Sequence, residues 1–375
     1  MHCLQIGFHL DPQARQPRRL LEDWYSLGHI ADAVAAAGTR VSVVQACSHE
    51  SQLRHGNADY FFMPPGSAAP LADTPQFRAL LAQLRPDVFH VHGLAFAGDV
   101  LALRAAAPQV PILLQDHASR VPRWWRRAAM KRGLAVADGV SFCAAQQAEP
   151  FREAGLLPPG VPVFEIPESS STFSDGDRRQ AREDTGIFGD PCVLWVGHLD
   201  SNKDPLTVLE GAALAAQRLS GLRLWCVHAH APLLRTVEKR IASDPLLRER
   251  VGLLGRVSHA RIESLMRAAD IFVLGSHREG SGYSLIEALS CGVSPAVSDI
   301  PSFRALTGNG AVGSLWRTGD AQDCARALIA LAALPTTAAR AAVRAHFEAQ
   351  ISFNAIGQRF AAAYAAITRR RAHAA

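Results

Sequence analysis

Short apolar runs rich in Val, Ile, Leu and Phe alternate with longer Ala-rich stretches along most of this chain, and no other feature narrows its fold as much. Strands separated by helix-length connections pair most readily in parallel, so the rhythm predicts an α/β protein with crossover helices. In the first half, strands are expected at 3–8, 40–46, 59–63, 87–91, 110–115, 139–143 and 162–166, with helices at 22–37, 77–84 and 123–137. A second series follows, with strands at 192–196, 222–227, 251–254, 271–274 and 294–297, and a last helix at 353–367. Between the series, 158–190 shifts to Pro, Ser, Gly and Asp, which is linker composition.

The chain has 375 residues, enough for two domains. The expected division is 1–168, 169–352 and a terminal helical stretch, 353–375. Hydrophobic residues make up 48% and charged residues 19%, which excludes a disordered tail protein. Every promising apolar run is interrupted before the roughly 18 residues a membrane span needs. The start, Met1 to Leu10, lacks a secretory pattern, and seven scattered cysteines without a C-x-x-C pair suggest neither a disulfide framework nor a zinc finger. A reducing, cytoplasmic setting is expected. A net charge of +5 suits anionic ligands or a lipid surface without requiring nucleic acid.

The stretch 276–301 carries the most chemistry. After an apolar strand come Glu279, then Gly280-Ser281-Gly282, then the helical run that opens at Tyr283 and holds Glu287 about two turns in. Backbone N–H groups at a helix start, approached over glycines, form a seat for phosphate. Two acids eight residues apart mean little alone, but in this order they would reach different parts of one ligand.

These residues resemble the hallmark of the retaining GT-B glycosyltransferases of family 4, E-G-F-G-L-x-x-x-E-A-x-A-x-G-x-P-V-V-x-S-D-I-P. Glu279-Gly280, Gly282, Glu287-Ala288, Gly292 and Ser298-Asp299-Ile300-Pro301 are in register with it. Val196-Gly197-His198-Leu199 with Lys203 is similar to the family's V-G-R-L-x-x-x-K, and Ala269-Asp270-Ile271-Phe272-Val273 to its A-D-x-F-V strand. In the first half, Pro86-Asp87-Val88-Phe89-His90-Val91-His92 is similar to P-D-V-x-H-x-H. The resemblance implies two Rossmann-like parallel-sheet domains facing a central cleft, a nucleoside-diphosphate sugar as donor substrate, no required cofactor or metal, and transfer to a hydroxyl acceptor with retention. It places Lys203 and His198 on the diphosphate, the backbone from Gly280 through Ser281 and Gly282 to Tyr283 on phosphate, and Glu287 on the ribose. Glu279 falls on the transferred sugar, Arg256 and Val257 beside the base, and His117 on the acceptor side. It also brings the last helix back onto the first domain.

Several positions depart from the family. His198 stands for Arg and lacks its bidentate fork. Ser281 replaces Phe, and Cys226-Val227-His228-Ala229-His230 replaces a glycine-rich turn. Glu168-Ser169-Ser170 replaces N-G-x. The loop after the first strand lacks a Gly-Gly pair and runs on to Arg15, Arg18 and Arg19: either these arginines take over substrate contacts, or the loop serves the acceptor, or they are solvated charge. His90 with His92, and His228 with His230, share strand faces as metal ligands would, but no third ligand accompanies either pair. Asp175-Gly176-Asp177 imitates a D-x-D metal clamp yet lies in the linker, where it reads as a turn.

Arg123, Trp124, Trp125, Arg126 and Arg127, followed by Lys131 and Arg132, form a basic, aromatic segment suited to peripheral contact with an anionic inner membrane face. A lipid-linked acceptor would fit it; a basic helix whose tryptophans pack inward is the other reading. For the whole chain, two rivals stand beside the transferase: a catalytically silent nucleotide-sugar-binding or partner protein on the same fold, and a sugar-nucleotide isomerase that needs no acceptor.

Overall fold

Strands buried on both faces must lie inside a sheet covered by helices on either side, and continuous apolar runs mark them. The computed structural model describes residues 1–66 and 70–374. The chain divides into two compact units, one formed by 1–169 with 353–375 and the other by 170–352.

Among the described residues, the first unit holds eight strands: β1 (His2–Gly7), β2 (Arg40–Ala46), β3 (Ser51–His55), β4 (Ala58–Met63), β5 (Val88–His92), β6 (Ile112–Gln115), β7 (Gly139–Phe142) and β8 (Val163–Glu165). Their order is β3-β4-β2-β1-β5-β6-β7-β8. All pairs are parallel except the β3–β4 hairpin at one edge. The expectation of purely parallel pairing fails there: β3 is short, mostly polar and largely exposed, so its sequence carries no buried-strand signal. The helix expected at 22–37 is also two helices, Pro17–Asp23 and Tyr25–Ala36, broken at Trp24. The Trp24 ring stacks on His9 at 5.7 Å, a tertiary contact that local propensity cannot announce.

The helix Phe353–Ala374 packs on this unit, with Ile356, Phe360, Tyr364 and Ile367 joining the core formed by Val34, Val43, Tyr60 and Leu113. The Tyr364 hydroxyl donates to His90 Nδ1 at 2.7 Å, and His90 Nε2 donates to Gln115 Oε1 at 3.1 Å. Burial, aided by His117, holds His90 down to about 3, so it is a neutral bridge with Tyr364 on one ring nitrogen and Gln115 on the other. The other half of the His90–His92 pair has a different fate, described below.

The second unit carries β9 (Cys192–Val196), β10 (Arg223–Val227), β11 (Val251–Gly255), β12 (Ile271–Leu274), β13 (Ser294–Ser298) and β14 (Ser314–Trp316) in the order β11-β10-β9-β12-β13-β14. The chain builds outward from β9 in one direction, then returns and builds outward from β12 in the other. In open parallel sheets, ligands bind at the carboxyl edge where this reversal occurs. Here that is the boundary between β9 and β12.

The expected linker at 158–190 contains a helix, Arg178–Thr185. It buries only Ala181 of its own residues, so it has no apolar stripe to read. It is held instead by Arg178 and Arg182, both paired with Asp270 ahead of β12. Asp177 is the N-cap, accepting from the Gln180 N–H at 3.0 Å.

Candidate active site

The residues at the carboxyl edges of β9 and β12 meet. After β9, Asp200 accepts the Lys203 N–H at 2.9 Å, and Asp204 caps the helix Pro205–Ala216 by accepting from Thr207 N at 3.3 Å. These two turns fix Lys203 between them. The loop after β12 is tied to the same segment: His277 N donates to Asn202 O at 2.8 Å, and Asn202 Nδ2 to Arg278 O at 3.0 Å. The Lys203 ammonium and the Glu279 carboxylate are thereby brought into a direct ion pair, and both side chains are largely shielded from solvent. A sequence separation of 76 residues is closed at the topological reversal of the sheet.

Gly282 ends the loop in the left-handed region, with φ +80°, and the helix Tyr283–Ser290 starts immediately after it. A Cβ at Gly282 would lie 2.6 Å from Phe303 Cε1, so both the backbone and the space require glycine. The positive end of this helix faces the loop that carries Glu279. Ser281 is buried, whereas Tyr283 is exposed at the helix tip.

Glu287 lies deeper in that helix and is nearly buried. His259, in the first turn of the helix that begins after Ser258, donates Nε2–H to Glu287 Oε1 at 2.8 Å, and its ring lies 4.6 Å from that of Phe173. Sequence reading gave His259 no role; 28 residues separate the partners, and no motif spacing links them. The hydrogen bond to Glu287, outweighing desolvation, raises the His259 pKa above the ordinary histidine value. A raised value means the charged pair stabilises the fold fully below the unfolded histidine pKa and ceases to do so as pH rises through the folded one. Thermal melts of wild type and His259→Gln should therefore differ more at pH 6 than at pH 8.5, with wild type the more stable. An equal gap at both values would contradict the pairing.

Arg256 is exposed just past β11, and Val257 follows it half-buried. Gly255 O accepts the His228 N–H at 3.0 Å, which ties the end of β11 to the end of β10. His198 follows β9 and is exposed, its ring edge-to-face with that of His230, 5.6 Å between centroids. In the second unit, then, His198, Lys203, Arg256, Val257, Glu279 and the Gly280–Tyr283 turn all lie on loops at one edge of the sheet.

His117 belongs to the first unit, just past β6. Its Nδ1 is 2.9 Å from Glu168 Oε2, and its Nε2 is 3.2 Å from Nδ1 of His92. A carboxylate only accepts, so neutral His117 donates through Nδ1 and takes the His92 Nδ1–H at Nε2. Burial first, then His90 and His117, hold His92 well below the usual histidine range, consistent with a neutral donor. Glu168, which stands where the resemblance led one to expect Asn, thus fixes the His117 ring. Arg15, in the loop after β1, and Arg19, in the helix Pro17–Asp23, are engaged locally: Arg15 with Asp11 and Asp23, Arg19 with Glu22 and Asp23.

Comparisons with known proteins agree with this architecture. The family described as Glycosyl transferases group 1 matches residues 177–346, and the Glycosyl transferase 4-like domain matches 24–167. A GDP-mannose:cellobiosyl-diphosphopolyprenol alpha-mannosyltransferase from Xanthomonas campestris is 26% identical over 272 residues, 69% of each chain. A D-inositol 3-phosphate glycosyltransferase from Nocardia farcinica is 27% identical over 220 residues, 55% of this chain and 47% of that one, so some relatives are matched over about half their length. Among solved structures, sucrose-phosphate synthase from Thermosynechococcus elongatus superposes with a TM-score of 0.68 at 20% identity, covering 98% of this chain and 99% of that one. HepE from Anabaena, solved in complex with UDP, gives 0.70 at 17%, covering 98% and 100%. With both halves matched by glycosyltransferase families and the GT-B fold matched along the chain, this protein belongs to the group 1 glycosyl transferases of family 4, enzymes that pass a sugar from a nucleoside-diphosphate donor to an acceptor hydroxyl.

Proposed function

We propose that this enzyme transfers a sugar, with retention, from a nucleoside-diphosphate sugar to a hydroxyl of a lipid-linked acceptor at an anionic membrane surface. The observation that carries the donor side is the Lys203–Glu279 pair at the reversal of the second sheet. Lys203 and Glu279 offset each other's charge. An arriving diphosphate competes for Lys203, which then faces the negative charge that grows as the bond from the anomeric carbon to the phosphate oxygen breaks. Glu279, released from Lys203, turns to the sugar hydroxyls. The tip of the Tyr283–Ser290 helix supports phosphate, Glu287 the ribose, and Arg256 with Val257 the base. The acceptor oxygen forms its bond to the anomeric carbon on the face the diphosphate leaves, and its proton passes to the departing phosphate oxygen. His117, oriented by Glu168, serves the acceptor.

The lipid-linked acceptor is supported by the helix Trp124–Ala135. Trp124 is 77% exposed and Trp125 53%, so the tryptophans do not pack inward. Arg123, Arg126, Arg127, Lys131 and Arg132 surround them with no acidic residue between 123 and 135. Exposed indoles on a basic helix are suited to the headgroup layer of an anionic bilayer. The mannosyltransferase from Xanthomonas is named for a diphosphopolyprenol acceptor, which lends weight to the same acceptor class here.

The test presents vesicles containing about 30% anionic lipid and a polyprenyl-diphosphate glycan, together with UDP-, GDP- and ADP-sugars. One donor should give a glycan longer by one sugar, and Trp124→Ala/Trp125→Ala should cut both vesicle co-sedimentation and transfer at least about tenfold, as loss of two exposed indoles that would enter the headgroup layer implies. Wild-type protein that binds a donor but elongates no lipid-linked acceptor would refute the acceptor assignment; donor hydrolysis or an epimer alone would point to a different reaction.

A further inference from the structure

Two departures from the family's pattern, His198 for Arg and His230 for Gly, lie 32 residues apart in the sequence and meet in space. β9 and β10 are adjacent and parallel, with Val196 opposite Val227, so the loops that follow them leave the sheet side by side. Leu199 N donates to His230 O at 2.9 Å and Leu233 N to Leu199 O at 2.9 Å, which fixes the two loops to each other. The His198 and His230 rings stand edge-to-face, 5.6 Å apart at an angle of 86°, and both residues are exposed. Lys203 follows five residues after His198, at the neighbouring end of the same loop.

We propose that His198 and His230 form a two-imidazole clamp for the donor's diphosphate and together supply the contact that one arginine makes elsewhere in the family. The proposal rests on the donor reading above. A guanidinium presents two parallel N–H donors to one phosphate. Two imidazoles from adjacent loops present one N–H each when neutral and add charge when protonated. An anion held across the open edges of both rings favours their charged forms, so binding and proton uptake are linked. Histidine is the side chain whose charge changes between pH 5 and 8, and donor affinity therefore rises as pH falls, whereas an arginine site would show no such slope.

Other titratable groups adjoin the pair. His228, on the same loop as His230, is pushed to a lower pKa by burial, with Glu238 opposing. His277 faces Asp204 at 3.2 Å, Lys203 pairs with Glu279, Asp200 accepts the Lys203 N–H, and Arg256 lies past β11. The test must separate the clamp from these groups.

Calorimetric titrations with UDP-, GDP- and ADP-sugars at pH 5.5, 6.5 and 8.0 do so. A nucleotide sugar carries a diphosphate diester with no ionisation near pH 6, unlike a terminal phosphate, so the slope reports on the protein. Wild type should bind its donor at least about tenfold more tightly at pH 5.5 than at pH 8.0, with measurable proton uptake, since one unit of coupling per imidazole is a factor of ten. His198→Gln and His230→Gln should each lose about tenfold at pH 5.5 and little at pH 8.0. The double variant should be flat across the range, and His198→Arg should hold tight binding at pH 8.0. A slope unchanged in His230→Gln, or surviving in the double variant and hence due to His228 or His277, would overturn the clamp while leaving the donor reading intact. Absence of binding by every donor, in wild type and His198→Arg alike, would remove the donor reading and the clamp with it.

Discussion

Lys203→Ala should lower sugar transfer by about 10²–10³, the scale expected when a charged group aimed at a developing anion is removed. The substitution also takes the Lys203 ammonium away from the largely shielded Glu279 carboxylate, and removing one member of a shielded ion pair is itself destabilising. Glu279→Gln retains a polar side chain without the charge and should also suppress transfer. The pair Lys203→Met/Glu279→Gln removes both charges at once. It should recover the melting temperature lost in Lys203→Ala yet remain inactive, and that separation of stability from turnover distinguishes a donor-binding lysine from a merely structural one. Transfer within about threefold of wild type in Lys203→Ala would refute the assignment.

Gly357→Val should destabilise the first unit more than any single surface change. A Cβ at this position would lie 2.1 Å from Ala33 O and 2.5 Å from Ala33 C, backbone atoms of the helix Tyr25–Ala36 that cannot step aside. The Phe353–Ala374 helix must then move away, withdrawing Ile356, Phe360, Tyr364 and Ile367 from the core, each worth about 1.5–3 kcal/mol when fully buried. Overpacking alone costs roughly 1–3 kcal/mol. Thermal melts and limited proteolysis after residue 352 provide the measurement. Gly160→Ala, where an added Cβ meets nothing within 4 Å, is the control. A melting point for Gly357→Val equal to that of the control would show that the helix contact is not needed.

What the sequence reveals of this fold depends on how locally each feature is encoded. Strands β2, β9 and β12 and the helix Tyr283–Ser290 are legible to the residue, because each is an apolar or amphipathic run bounded by polar or glycine residues. β14, three residues after a glycine-rich turn, is too short to carry a period, and β3 alternates mostly polar residues at an edge. The helix Arg178–Thr185 is hidden because ion pairs to Asp270, and not an apolar face, hold it.

The candidate site divides along the same line. Glu279, Glu287, Lys203 and the glycine turn are visible through their spacing within single loops and helices. The contacts His198 to His230, His117 to Glu168 and His259 to Glu287 join residues on different elements, and only the strand order determines that they meet. His230 and Glu168 therefore read as isolated departures from a pattern until the sheets are assembled.

The first unit draws its core from both ends of the chain, with 170–352 inserted between them. During synthesis, the intervening unit, 170–352, has its whole sequence available before the earlier one does, since Ile356, Phe360 and Tyr364 are made after it. Until then, Val34, Val43 and Tyr60 lack their covering helix, and β1 to β8 wait as an unfinished sheet beside a neighbour already able to fold. A chain released at residue 352 would carry one half with its sequence complete and one without its covering helix, open to chaperones and proteases.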